Sequence, residues 1–211
     1  NVGDSAVIKI LDSKIKQAEM SLRDKLDIDM WASAVTGTNM NTLVTIVDTS
    51  TSIANVAKSS NSWWQAQVTA SGSFAARGLA DMRALYNNIG ENSLSGGAPD
   101  FILSDQTAYE FYEATLQPQL RFSDSKMADA GFENIRYKGA TTVYDPNQVA
   151  GVLMMLSSDV LKLVTSSGTN FINTPFVKPD NQDAKSSQIL WAGQLVSDNN
   201  RRLGKLTGIT A

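Results

Sequence analysis

Glu110 and Glu113 stand three residues apart in a helix-prone stretch, close enough for one carboxyl to serve as acid and the other as base. Glycosidase carboxylates, however, face each other across a substrate cleft, and two neighbours on one helical turn read as a polar face. Asp27 with Asp29 and Asp180 with Asp183 are the close acidic pairs that invite a cation. Neither runs into a calcium loop with its central glycine and terminal glutamate, so both read as solvated charge. Gly204-Lys205 invites comparison with a phosphate-binding loop, which needs an earlier glycine and a Ser or Thr after the lysine. Asn199 and Leu206 hold those positions. Histidine and cysteine are both absent. That removes the usual general base near neutral pH, the Ser-His-Asp arrangement, thiolate nucleophiles and disulfides. The expectation is a non-enzymatic protein with no catalytic, cofactor-binding or metal-binding residue.

The residues left over suit contact better than catalysis. Trp63 and Trp64 are adjacent, so their rings point to different sides and one core does not take both. Trp64 is the candidate anchor of a subunit contact, where aromatics are enriched. Lys178, Asp180, Asp183 and Lys185 put both charge signs on one loop between Pro-containing sequence and a strand. Arg201 and Arg202 suit pairing with carboxylates, within the chain or across a subunit boundary. The net charge of −3 gives no strong attraction to nucleic-acid phosphates.

The 211 residues suffice for one domain or two small ones with a substantial core. No apolar run approaches the ~18 residues of a membrane span. The chain opens on Asn, with no signal peptide, as a processed or partial sequence would. Missing cysteines and glycosylation sequons fit a cytosolic origin.

The element that must position the first third is a long helix. Ile8, Leu11, Ile15, Ala18, Leu22, Leu26 and Met30 recur at spacings of three and four, predicting one buried stripe lying across a core. Opposite charges at i,i+4, such as Lys25 with Asp29, mark its other faces. A β-prone stretch follows at 42–47, then a Ser/Thr/Asn-rich loop over 48–61. A second amphipathic helix carries Phe74, Leu79, Met82, Leu85, Tyr86 and Ile89 and stops at Gly90. A connector at 95–99 leads to a buried strand at 100–104 and a third helix at 105–116. Beyond it, 135–144 (broken at Gly139), 152–156, 161–164 and 188–196 are strand candidates, and 174–187 reads as an exposed loop. This mixed order predicts an α+β architecture and not a repeated βαβ pattern.

Several segments together resemble the major capsid proteins of tailed phages, which share the Hong Kong ninety-seven fold. They are Ser62-Trp63-Trp64, Ala98-Pro99-Asp100-Phe101-Ile102-Leu103-Ser104 and Leu116-Gln117-Pro118-Gln119-Leu120-Arg121-Phe122. Further along come Asp129-Ala130-Gly131-Phe132, Lys138-Gly139-Ala140 and Thr174-Pro175-Phe176. Gln188-Ile189-Leu190-Trp191-Ala192-Gly193 and Asn200-Arg201-Arg202-Leu203-Gly204 complete the series. The resemblance implies a peripheral domain at 1–72 built on a spine helix at 6–31, and an axial domain at 73–164. The chain would return to the peripheral domain at 165–198 with its exposed loop, and 199–211 would run as a tail towards the axial domain. Family members carry an N-terminal arm and an extended loop before the spine, which this sequence lacks.

The function so implied is that of a shell subunit, assembling with copies of itself into capsomers and an icosahedral head around double-stranded DNA. The charged loop would meet neighbouring capsomers, and DNA would be held by confinement, without sequence recognition. Scaffolding, portal or decoration proteins are the further partners, a membrane is not one, and no cofactor is expected. The location is the virion, with assembly in the bacterial host cytoplasm. Encapsulin shells share the fold and give the nearest alternative. A small carboxylate-dependent hydrolase or binding domain is the alternative of another class.

Overall fold

The structure, a computed structural model, describes residues 2–91, 97–120, 135–178, 180 and 185–211. Its centre is a mixed sheet of six strands in the order β3-β10-β7-β4-β6-β5. These are β3 (Gln67–Ala70), β4 (Phe101–Ser104), β5 (Arg136–Tyr137), β6 (Ala140–Tyr144), β7 (Leu153–Leu156) and β10 (Gly204–Thr207). β10 runs parallel to β3, β4 parallel to β6, and β7 antiparallel to both of its neighbours.

β7 shows why the sheet sits in the middle. Leu153 and Met155 point into one apolar cluster with Met82, Leu85, Ile89, Tyr112 and Leu206. Met154 and Leu156 point into another, with Trp31, Leu43, Ile46, Leu195 and Leu203. A strand covered on both faces carries an unbroken apolar run in place of alternation. The first face is covered by α3 (Leu79–Glu91) and α4 (Gln106–Leu120). Gly204 lets α3 approach, since a Cβ there would stand 2.7 Å from Leu85 Cδ1 and 2.8 Å from Ile89 Cδ1. α3 is entered through a π-helical turn at Phe74–Gly78, where the Phe74 ring occupies the space of a Gly78 side chain.

The second face is closed by α2 (Leu43–Ile46) and by Trp31, the residue after α1 (Val2–Met30). Residues 42–47 are thus a short helix and not the expected strand. Thr42 accepts from the Thr45 N–H at 3.1 Å while the Thr45 hydroxyl takes up the Thr42 N–H, a reciprocal cap that overrides β propensity.

The long helix also needs correction. It forms, and Lys25 pairs with Asp29 at 2.5 Å, but its stripe is not buried under a core. Ile15, Leu22, Leu26 and Met30 are half-buried, Ala18 is exposed and Leu11 is 42 % exposed. Among the side chains described, those of the C-terminal half find cover, against a two-stranded ribbon of β8 (Leu161–Asn173) and β9 (Ile189–Ser197). The strand expected at 161–164 therefore continues far beyond it. The expected boundary between 164 and 165 falls inside β8. Within the loop 48–61 lies a small hairpin, β1 (Ser52–Ile53) with β2 (Val56–Ala57). Lys138 and Gly139, both at positive φ, turn β5 into β6.

Candidate subunit interface

The charged loop is tied at its base. Thr174 and Gln188 exchange bonds, with the Thr174 N–H donating to Gln188 O at 2.8 Å and the Gln188 N–H to Thr174 Oγ1 at 2.9 Å. Val177 and Ser186 form a bridge further out. Lys178, Asp180 and Lys185 are exposed beyond these ties, while Asp183 lies outside the described residues.

The tryptophans divide as adjacency requires, though Trp63 is the outer ring, 59 % exposed, and Trp64 the half-buried one. Their centroids are 5.7 Å apart. Trp64 is held by its carbonyl, which accepts from Asn200 Nδ2 at 3.2 Å. Arg201 is half-buried. Arg202 takes the first of the two pairings expected of it, with a carboxylate within the chain: it is buried, donating to Asp159 Oδ2 at 2.5 Å and to Gly97 O at 3.4 Å. Its charge is committed inside the chain.

The residues weighed for chemistry are not brought together. Glu110 and Glu113 are exposed on α4, and Glu110 accepts from Gln106 Nε2 at 2.8 Å. Asp27 accepts from Asn147 Nδ2 at 2.6 Å. Among the described residues no three acidic side chains cluster as a metal site would require. Gly204-Lys205 belongs to β10 and not to a loop.

A polar cluster that sequence reasoning missed lies under α2. Lys58 is fully buried, and its ammonium donates to Thr45 O at 2.7 Å and Ile46 O at 2.6 Å, the carbonyls at the end of that helix. Burial lowers its pKa to about 8; Lys205 adds to the shift and Asp48 opposes it. Burial pushes the Asp48 carboxyl up, but bonds from Ser50 and the Lys205 ammonium 3.2 Å away outweigh it and hold the pKa at about 2. A lysine in a Ser/Thr/Asn-rich loop reads as solvated, so nothing in the sequence pointed to it.

A second missed feature is a groove of about 320 Å³ between α1 and the ribbon. Leu26, Met30, Leu163, Phe171 and Trp191 line it. The Arg23 guanidinium stands 5.2 Å over the Phe171 ring, a cation packed on an aromatic face. Phe171 has φ +53°, a left-handed conformation that bulky side chains rarely take, at a register shift in β8.

No family model matches the chain. No curated protein matches it either. Among solved structures, a chain of the cyanophage A-1(L) capsid asymmetric unit superposes with a TM-score of 0.70 at 16 % identity. The match covers 95 % of this chain and 69 % of that one. The chain shares the fold of that capsid chain. At this identity the likeness lies in the path of the backbone. It spans both the six-stranded sheet and the helix-and-ribbon layer, since almost the whole chain takes part. Among the described residues no helix is long and apolar enough to cross a membrane.

Proposed function

We propose that the chain is a shell subunit of a tailed bacteriophage or prophage, self-associating into capsomers and an icosahedral head around double-stranded DNA. The observation that carries this reading is the fold correspondence over 95 % of the chain. The half-covered stripe of α1 and the lightly packed ribbon add support, because a lone chain leaves apolar surface there that assembly would bury. In this reading the sheet with α3 and α4 is the rigid axial part. α1 and the ribbon form the peripheral part, and the loop carrying Lys178, Asp180, Asp183 and Lys185 meets neighbouring capsomers. Trp63 and Arg201 are further contact residues. The work is structural, with binding free energy spread over many modest self-contacts, and DNA is retained by confinement. Scaffolding, portal or decoration proteins would share the same particle, assembled in the host cytoplasm.

The test is negative-stain electron microscopy of the protein expressed with its native flanking sequence. Closed shells of uniform diameter are expected. A protein that stays monomeric at high concentration overturns the reading.

A further inference from the structure

We infer that the exposed face of α1 centred on Met20 pairs, antiparallel and about a two-fold axis, with the same face of a second copy. This deepens the shell reading and rests on it, since a closed icosahedral shell has two-fold axes at which such a contact can sit. Lys16, Met20 and Asp24 follow one another at i,i+4 and so stand in a row along one side of the helix. Leu26 and Met30, which line the groove against the ribbon, lie on a different side. All three residues of the row are exposed. Met20, at 71 %, is the most exposed large hydrophobic side chain among the described residues. It stands in a shallow hollow with Ser13, Gln17 and Ser21, whose side chains leave it uncovered. Two of these are turned to the helix itself: Ser21 Oγ donates to Gln17 O at 2.9 Å, and Gln17 Oε1 accepts from Lys14 Nζ at 3.3 Å.

Charge order selects the occupant. In the N-terminal half of α1, Lys9, Lys14 and Lys16 outnumber Asp4 and Asp12. In the C-terminal half, Glu19, Asp24, Asp27 and Asp29 outnumber Arg23 and Lys25, and the last turn carries no base. A helix dipole favours the reverse, acid near the start and base near the end, so this order does nothing for the helix alone. It matches an antiparallel helix of the same sequence, whose basic half lies against this acidic half and whose dipole is opposed. Most charges of the acidic half are already engaged. Asp27 holds Asn147, Asp29 holds Lys25, and Arg23 lies over Phe171. Lys16 and Asp24 have no bonding partner among the described residues.

The helical rise sets Lys16 and Asp24 about 6 Å to either side of Met20 along the axis. A two-fold axis through Met20 therefore brings Lys16 of each copy level with Asp24 of the other. Two ion pairs then frame a contact between the two Met20 side chains. The unbranched thioether adapts to its own copy, filling the space beside Ser13 and Gln17. A patch that is its own complement makes an isologous contact. A partner of a single charge sign, such as a nucleic acid, would meet only half of the row.

The protein has no cysteine, so Met20→Cys places a single thiol on the proposed axis. Mild oxidation of the full chain should give a disulfide-linked dimer on denaturing gels. Adding Lys16→Glu or Asp24→Lys sets like charges opposite each other at both ends, and should lower the yield roughly tenfold or more. The circular dichroism spectrum should not change, because all three positions are exposed. Mixing the two charge variants should restore the dimer, almost wholly as the mixed species, which a size tag on one of them reveals. Both reversals in one chain should restore it too. A general effect of charge on thiol reactivity cannot produce that rescue. Dimer yields that ignore both reversals, or a mixture no better than its parts, overturn the pairing and leave the shell reading standing. A thiol that closed particles shield from maleimide without joining its like also overturns it, since another segment then covers the face. Dimers that follow the charges in a protein that never closes into particles support the pairing and count against the shell.

Discussion

Raising the pH from 7.5 to 9.5 should stabilise this protein, and Lys58 is the reason. Its ammonium is fully buried, and its pKa falls from 10.5 to about 8. The unfolded chain keeps that proton up to about pH 10.5 and the folded chain gives it up near 8. Between those values the unfolded state binds more protons, and stability rises with pH. Fully developed, the difference between 10.5 and about 8 amounts to about 3 kcal/mol, of which about 2 kcal/mol falls between pH 7.5 and 9.5. No histidine or cysteine titrates in that window, and the tyrosines, ordinarily near 10, begin to ionise only at its upper end. Above pH 10 the trend should reverse. Burial pushes the Tyr112 hydroxyl up to about 12, so the unfolded chain there ionises first. The assay is urea unfolding in dilute solution at half-unit pH steps. For an m-value of about 2–3 kcal/mol/M the midpoint should climb by about 0.7–1 M. Lys58→Met should flatten the climb. Removing the lysine leaves Ile46 O without that donor, so the slope is the diagnostic quantity and the stability at one pH is not. A flat wild-type profile, or one that rises equally in Lys58→Met, refutes the claim that this charge is held out of water.

Three further outcomes are expected. Asp48→Asn should weaken the fold at pH 6; because the folded carboxylate titrates near 2 and the unfolded one near 3.8, the gap should close as pH falls from 4 to 2 in the same assay. Gly204→Ala should cost about 1–3 kcal/mol by thermal melting, since its methyl meets Leu85 and Ile89 closer than any relaxed contact allows. Met154→Ala should cost about 2–5 kcal/mol while Leu22→Asp costs about 1 kcal/mol, and equal melting losses would mean that α1 is covered far more than the single chain shows.

What could be read from the sequence was whatever local pattern decides. Within the run from Val152 to Leu156, Leu153–Leu156 is a strand because four successive apolar residues meet cover on both faces, and the 3–4 spacing of Met82, Leu85 and Ile89 is a helix facing that strand. Pattern failed where partners lie far apart. Lys205 sits in a central strand because Asp48 receives it, and no window around Gly204-Lys205 contains that fact. Gln67–Ala70 shares the defect: short and half polar, it is a strand because β10 lies beside it. At 42–47, β-branched residues pointed one way and two threonine hydroxyls decided the other. Among the contact candidates, Lys178, Asp180 and Lys185 were legible as surface, while the exposed ring of the tryptophan pair is Trp63 and not Trp64. The burial of Arg202 was not, since it depends on Asp159 and Gly97. The groove beside α1 was invisible because Phe171 and Arg23 meet across the fold.

The placement of β10 between β3 and β7 has a kinetic consequence. β10, the last strand among the described residues, is an inner one, so until it docks β3 has no neighbour and β7 has one bare side. A nascent chain can build the hairpins and helices but not seal the sheet, and both open edges invite wrong partners in the meantime. Docking brings Gly204 against α3 and Lys205 against Asp48 in one step, joining the two apolar clusters through a single strand. Sheet closure therefore waits on β10. A chain without β10 would keep two open strand edges, the kind of loose state on which chaperones and proteases act.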